Sequence, residues 1–276
     1  MAGLTPKLSV TDALRGLGRI LAGRPQVPPA LAGNELLQIV LNRRSVRRFA
    51  ARPVGDDVFA AILEAGRLAP STVNLQSWTF LSFTANTWRS TFERPIPFRA
   101  QHAVIVCGDA HRYRQALDGF PRSPLVEYTL AVTNASLAAM NMNVAAEALG
   151  VASVMLSETG RSGLLDPGYL RDRLGLPEGV FPLMTLVFGY PSAASPPMPP
   201  KLPLNEICFT DGHYHEADEA VLRDWMAQMA AGYKASHLFS SMDAQLDVYR
   251  SKIGQAEADL TEMIFPDGER ASESRL

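Results

Sequence analysis

The chain is short of cysteine, of basic charge and of long apolar runs, and each shortage removes a class of function. Only Cys107 and Cys208 occur among 276 residues, far apart and in apolar surroundings. Two isolated cysteines form neither a disulfide framework nor a zinc-ligand pattern, so two buried, reduced thiols are expected. The formal net charge is −2, so no overall basic excess draws in phosphate backbones and no nucleic-acid partner is expected. No stretch approaches the roughly 20 consecutive apolar residues of a membrane-spanning helix. The pair Arg43-Arg44 is followed by Arg47 and Arg48, not by the apolar segment of an export signal. No membrane partner and a cytoplasmic location are therefore expected. The sequon Asn134-Ala135-Ser136 lies inside an apolar helical run, where a glycan has no room. There is no Walker loop and no Gly-x-Gly-x-x-Gly. His213-Tyr214-His215 lacks a third ligand nearby, so no metal is expected.

What is present reads as a soluble globular chain, with 47% apolar and 20% charged residues and enough length for a substantial core. An amphipathic piece from Thr11 to Leu21 and a Pro/Gly-rich stretch from Gly23 to Gly33 make residues 1–34 an N-terminal arm. Helical spacing resumes from Asn34 to Leu41 and again from Val58 to Leu68, with Asp56 or Asp57 as candidate caps. Trp78–Phe83, Ala103–Gly108, Val151–Leu156 and Leu183–Tyr190 are short, bounded, apolar runs and read as buried strands. The segment from Glu127 to Leu149 is apolar on nearly every face, hence either a central helix or a subunit-contact helix, and Gly150 ends it. Pro167 to Leu174 is helical. Six prolines between Pro191 and Pro203 force an extended segment. Residues 216–276 form a helical extension. There Met242, Leu246, Tyr249, Ile253, Ala256, Leu260 and Met263 make a narrow stripe, packed either across a subunit boundary or on its own chain. Helices alternating with strands give an α+β or α/β sandwich around one sheet.

Two clusters carry candidate chemistry. Arg43-Arg44-Ser45-Val46-Arg47-Arg48-Phe49, read as a helix or tight turn, places Arg43 with Arg47 and Arg44 with Arg48. Guanidinium forks match phosphate oxygens and Ser45 adds a donor, so the run is either an anion site or a solvated basic face. The second cluster, Ala69-Pro70-Ser71-Thr72-Val73-Asn74-Leu75-Gln76-Ser77-Trp78, is a loop between a helix and a strand. Its Asn74 and Gln76 amides suit a ring edge bearing C=O and N–H groups, or else the loop satisfies its own backbone.

Together these segments resemble the nitroreductase family. The basic run is similar to its opening signature and Pro70-Ser71 through Asn74, Gln76 and Trp78 to its second. The stretch from Ala138 to Gly150, AAMNMNVAAEALG, resembles its long dimer helix, and Pro200-Lys201-Leu202-Pro203-Leu204 its late basic motif. The resemblance spans roughly residues 35 to 210. It implies an α+β fold, a three-layer α/β/α sandwich with a central mixed, mainly antiparallel sheet, in a homodimer with FMN at the interface. The core domain is then 35–215. By position, Arg43, Arg44, Ser45 and Arg47 hold the ribityl and phosphate groups and Lys201 adds charge. Asn74 and Gln76 face the isoalloxazine, and Pro70 and Ser71 come from the partner subunit. Leu156, Ser157 and Glu158 present backbone amides to the flavin. No side chain is catalytic, because the flavin carries the chemistry. The implied activity moves hydride from NADH or NADPH through FMN to a small-molecule nitroaromatic, quinone or similar acceptor. The alternatives are an FMN-dependent dehydrogenase or oxidase of a small or peptide-derived substrate, and a flavin-binding protein without turnover. Two departures stand out: Lys201 takes a place where arginine is common, and Asn134 one where aspartate is common.

Overall fold

The computed structural model describes residues 9–117, 122–156, 166–210, 212–237 and 240–266. In chain order the helices and strands are α1 (Val10–Ala22), α2 (Glu35–Asn42), α3 (Asp56–Arg67), β1 (Trp78–Thr84), α4 (Ala85–Phe92), β2 (His102–Asp109), α5 (His111–Ala116), α6 (Pro124–Ala148), β3 (Ala152–Leu156), α7 (Pro167–Leu174), β4 (Val180–Gly189), α8 (Glu219–Ser236) and α9 (Met242–Ile264). Contacts divide the chain differently from the expected run of arm, core and extension. Residues 1–34 group with 196–251, while 252–276 group with 35–195.

In the larger unit the sheet runs β1-β2-β4-β3, with every neighbouring pair antiparallel. This corrects the expected mixed sheet. That expectation came with the family resemblance, and β2 and β3 do point the same way, joined by the crossover through α6. But β4 inserts between them and runs against both. Among the described residues the one parallel pairing is an isolated bridge, Ser45 to Ser153.

Period-two alternation sends the two sides of β2 into separate cores. Val104 and Val106 join Phe59 and Ile62 of α3 and Ala135, Ala139 and Met142 of α6 on one face. Ala103, Ile105 and Cys107 join Trp88 and Phe92 of α4 and Leu170 of α7 on the other. The result is three layers. Helix α6 lies so close to β2 that a Cβ on Gly108 would meet the Ala131 Cβ at 2.9 Å and its backbone at 3.1 Å. Its end is fixed by Gly150, whose φ of +70° suits glycine. Helix α4 has no apolar periodicity beyond Trp88 and Phe92. A reciprocal cap between Thr84 and Thr87 starts it, and burial of those two rings holds it. At α3 the cap is Gly55, with Asp56 and Asp57 already inside the first turn, where their charge still complements the helix dipole.

The last part of α9 returns to this unit and packs on its own chain. Met263 and Ile264 are buried with Ala110, Tyr113, Ala131 and Phe181, while Ile253 of the same stripe remains 60% exposed. Asp259 accepts a hydrogen bond from Gly168 N at 3.2 Å, and Glu262 pairs with Arg171 at 2.9 Å. In the smaller unit α1 packs along α8. Gly16 lets Ala231 approach, and Arg19 grips both oxygens of Asp224 at 2.7 Å.

Candidate functional site

Helix α2 ends at Asn42, and the basic run that follows is extended, not helical. Backbone pairing makes it so. Val46 N donates to Ser153 O at 3.1 Å, Ala50 N to Tyr190 O at 2.8 Å, and Ser192 N to Arg48 O at 3.1 Å. The expected Arg43–Arg47 and Arg44–Arg48 pairing by helical turn is thereby corrected. Arg43 N still donates to Ile39 O at 3.1 Å, closing the last turn of α2, and beyond it alternation along the extended chain sets Ser45 and Arg47 on the side away from buried Val46. Arg44 is half-buried and donates to Leu41 O and Arg43 O at 2.8 Å, and Arg47 reaches only Ser45 O at 3.4 Å. Among the described residues none of Arg43, Arg44, Arg47 and Arg48 forms an ion pair, and the buried Nε of Arg43 has no partner. Glu147 of α6 faces this cluster. Burial raises its carboxyl pKa, while the charges of Arg43 and Arg44 pull the other way.

The amide loop leaves α3 at Leu68 and enters β1 at Trp78. Val73, Asn74 and Gln76 have φ of 41°, 60° and 48°, a left-handed region that is costly for a β-branched valine. The strain is held from several sides. Ser71 O accepts from Asn74 N, Thr72 O from Leu75 N, and Ser71 Oγ from Gln76 N at 3.0 Å. Buried Asn134 of α6 closes the loop by accepting from Thr72 N at 3.2 Å and donating to Ser77 Oγ at 2.7 Å. Pro70, Asn74 and Gln76 are exposed and Ser71 is half-buried. The Asn74 and Gln76 side-chain amides make no hydrogen bond among the described residues.

One protomer does not bring the two clusters together. The loop meets the sheet at Trp78, which registers through Gly108 with Phe181, whereas the basic run meets it at Ser153, which registers with Phe188 and His102. These are opposite corners of the sheet. Three strand spacings of about 4.8 Å across and six residues of about 3.3 Å along separate them by roughly 25 Å.

Leu156, a further expected contact, ends β3 with its side chain in the core. Ser157 and Glu158 lie outside the described residues. Lys201 is exposed in the extended proline-rich segment of the other unit. The cysteines divide: Cys107 is buried and its thiol pushed up to about 12 by burial and by the Asp109 charge, but Cys208 is exposed, against expectation. Titration of the native protein with a disulfide reagent at pH 8 should therefore modify one thiol per chain, and two after denaturation. Two equally fast native thiols would mean that β2 opens readily. No group of three metal-ligating side chains occurs among the described residues.

Three buried polar residues support these clusters, Asn134, Asn143 and Ser153, of which the sequence singled out only Asn134, and without a role. The available signal was polarity in the wrong place. Asparagines in an Ala/Met-rich helix with no solvent face must find partners.

The residues present fit a phosphorylated, ring-bearing cofactor. The unpaired Arg43 Nε is a buried donor awaiting an acceptor, the neighbouring guanidinium groups carry uncommitted charge, and the loop amides are open.

Comparison with known proteins gives the same direction. A family model described as the nitroreductase family matches residues 40–88 and 84–190. A protein of Archaeoglobus fulgidus, provisionally named an NADH dehydrogenase/NAD(P)H nitroreductase, is 31% identical over 57% of this chain and 86% of its own length. The FMN reductase [NAD(P)H] of Bacillus subtilis is 28% identical over 60% of this chain and 71% of its own. Among solved structures, NfrA2 of B. megaterium superimposes with a TM-score of 0.70 at 23% identity, covering 87% of this chain and all of that one, a likeness of fold. With the family model spanning more than half of its length, the chain belongs to the nitroreductase family and is an oxidoreductase of the NAD(P)H nitroreductase/FMN reductase kind.

Proposed function

We propose that the protein is a homodimeric, FMN-dependent oxidoreductase that takes hydride from NADH or NADPH and passes it to a nitroaromatic, quinone or similar electrophile. The observation that carries this reading is the diagonal placement of two incomplete half-sites. A basic segment with unpaired guanidinium groups and a strained loop with open amides sit about 25 Å apart in one protomer. A two-fold partner brings the loop of one chain to the basic segment of the other. Because Asn74 and Gln76 lie in the same pinned loop as Pro70 and Ser71, all four arrive from the partner together.

In this arrangement Arg43, Arg44, Ser45 and Arg47 hold the phosphate and ribityl groups. The partner's loop orients the isoalloxazine through amide donors and acceptors, and the backbone of Leu156, Ser157 and Glu158 lines its central ring. Bound FMN supplies the two-electron chemistry, so the protein's task is binding, orientation and exclusion of water.

The test is an absorbance spectrum of the purified protein before and after each nicotinamide. A yellow protein that releases FMN on denaturation and bleaches rapidly with NADH or NADPH is expected. A colourless protein that takes up no FMN on reconstitution overturns the reading, and bound flavin that neither nicotinamide bleaches turns it towards dehydrogenation or simple flavin binding.

A graded result is expected within the basic run. Arg47 shares a side of the extended segment with Ser45, and Arg48 does not. Arg47→Ala should weaken FMN binding at least about tenfold, the loss of a charge-assisted contact of roughly 1.5–3 kcal/mol, with a smaller effect from Arg48→Ala. Equal losses by fluorescence titration would contradict the alternation.

A further inference from the structure

Helix α6 touches both half-sites through its only deeply buried asparagines among the described residues. Asn134, 1% exposed, spans the strained loop from Thr72 N to Ser77 Oγ. Asn143, also 1% exposed, accepts from Ser153 Oγ at 2.5 Å, and Ser153 O is the acceptor that holds Val46 N and so the extended basic run. Nine helical residues, about 13 Å, separate the two asparagines. The other buried positions of the helix are Glu127, which pairs with Arg114, five alanines and Met142.

We propose that Asn134 and Asn143 are positioning residues for two different flavin sites of the dimer, an inference that rests on the functional reading above. Asn134 holds the loop that serves the partner's flavin. Asn143 holds, through Ser153, the basic run that serves its own. Neither touches the cofactor. Each fixes a backbone that is otherwise unfavourable: a left-handed run at Val73 and Asn74 in one case, and a lone bridge at the edge of β3 in the other. One helix thereby sets one half of each of two composite pockets.

That division gives a test that a merely structural role does not share. Asn134→Leu and Asn143→Leu homodimers should each bind FMN about tenfold more weakly than wild type, at both sites. A mixed dimer carrying one substitution in each chain has a different fate. One of its pockets combines the intact basic run of the first chain with the intact loop of the second, and the other pocket takes both defects. Mixed dimers, isolated through two affinity tags, should bind one FMN per dimer with wild-type affinity and a second more weakly than either homodimer. Two equal, intermediate sites in the mixed dimer would overturn the proposal, as would homodimers with unchanged dissociation constants. If the leucine variants do not fold, Ser77→Ala and Ser153→Ala delete one bond each without adding volume. The same pattern is expected from them, and unchanged affinity in both overturns the proposal. Failure of the underlying reading looks different, because wild-type protein would then bind no FMN at all.

Discussion

Replacing Arg43 and Arg44 together by alanine should lower FMN affinity by about a hundredfold or more while leaving a folded dimer. Each guanidinium offers a charge-assisted contact to phosphate worth roughly 1.5–3 kcal/mol, and about 1.4 kcal/mol is tenfold in affinity. The pair shares one anion, so the contributions are not additive and the lower end of the sum is the safer expectation. Much of the desolvation cost of Arg43 is already met in the folded chain, since its Nε is buried without a partner among the described residues. An acceptor placed there gains a bond without displacing one. Glu147 sharpens the expectation. Its carboxyl pKa is already raised by burial against the pull of Arg43 and Arg44, so losing those charges raises it further and lets it take up a proton nearer neutrality. The sign follows: a carboxyl with a raised folded pKa favours the folded state below its unfolded value and loses that contribution as pH rises. The double variant should therefore lose relative stability as pH rises above the ordinary carboxylate range, measured by thermal unfolding of the apoprotein. Arg43→Lys with Arg44→Lys keeps charge without the fork, and should recover part of the affinity only. An unchanged FMN dissociation constant in the alanine pair would place the phosphate elsewhere.

The sequence made some of this plain and hid the rest for physical reasons. Strands such as Ala103–Gly108 were legible because a doubly buried strand needs a continuous apolar run bounded by turns, and the observed β2 extends that run by one residue at each end. Helix α7 was legible to its ends, since Pro167 opens it and Gly175 closes it with φ +61°. The basic run misled because its conformation is set at a distance. Nothing in Arg-Arg-Ser-Val-Arg-Arg announces an extended chain. Its pairing partners, Ser153 and Tyr190, lie far along the sequence, and tertiary pairing overrides local propensity. The strained loop was recognisable as a loop, but its left-handed residues are non-glycine and carry no local signature. Asn134, 62 residues from Thr72, is what holds them. The same limit applies to α4, which two aromatic side chains and a threonine cap create from a stretch without helical periodicity.

Helix α6 was read as apolar all round and therefore buried all round, and here the structure adds a face that the sequence average concealed. Val126, Thr129, Thr133, Leu137 and Met140 recur at three- and four-residue spacing and are exposed, with Leu137 at 41% and Met140 at 37%. Both threonine hydroxyls turn back on the helix, donating to Leu125 O at 2.7 Å and Thr129 O at 2.9 Å, which leaves methyl groups outward. Leu36 and Val40 of α2 are exposed as well. A seam of this composition matches a second copy of itself, since an isologous contact repeats each residue twice about the axis. Leu137→Glu tests it. In a single chain the side chain is already partly in water, so the charge costs the protomer little, and thermal stability of the separated chain should stay within about 1 kcal/mol. In a dimer that pairs this seam with itself two carboxylates would enter apolar surroundings, each losing hydration without a cation to meet it, for several kcal/mol in all. The variant should sediment as a monomer at micromolar concentration. If the flavin site is shared between two chains as proposed, it should lose FMN at the same time, and flavin content should return only where dimer returns, at high protein concentration or low pH. A monomer that keeps its flavin would show that one chain closes the site by itself, and a dimer with normal flavin content would move the interface off α6.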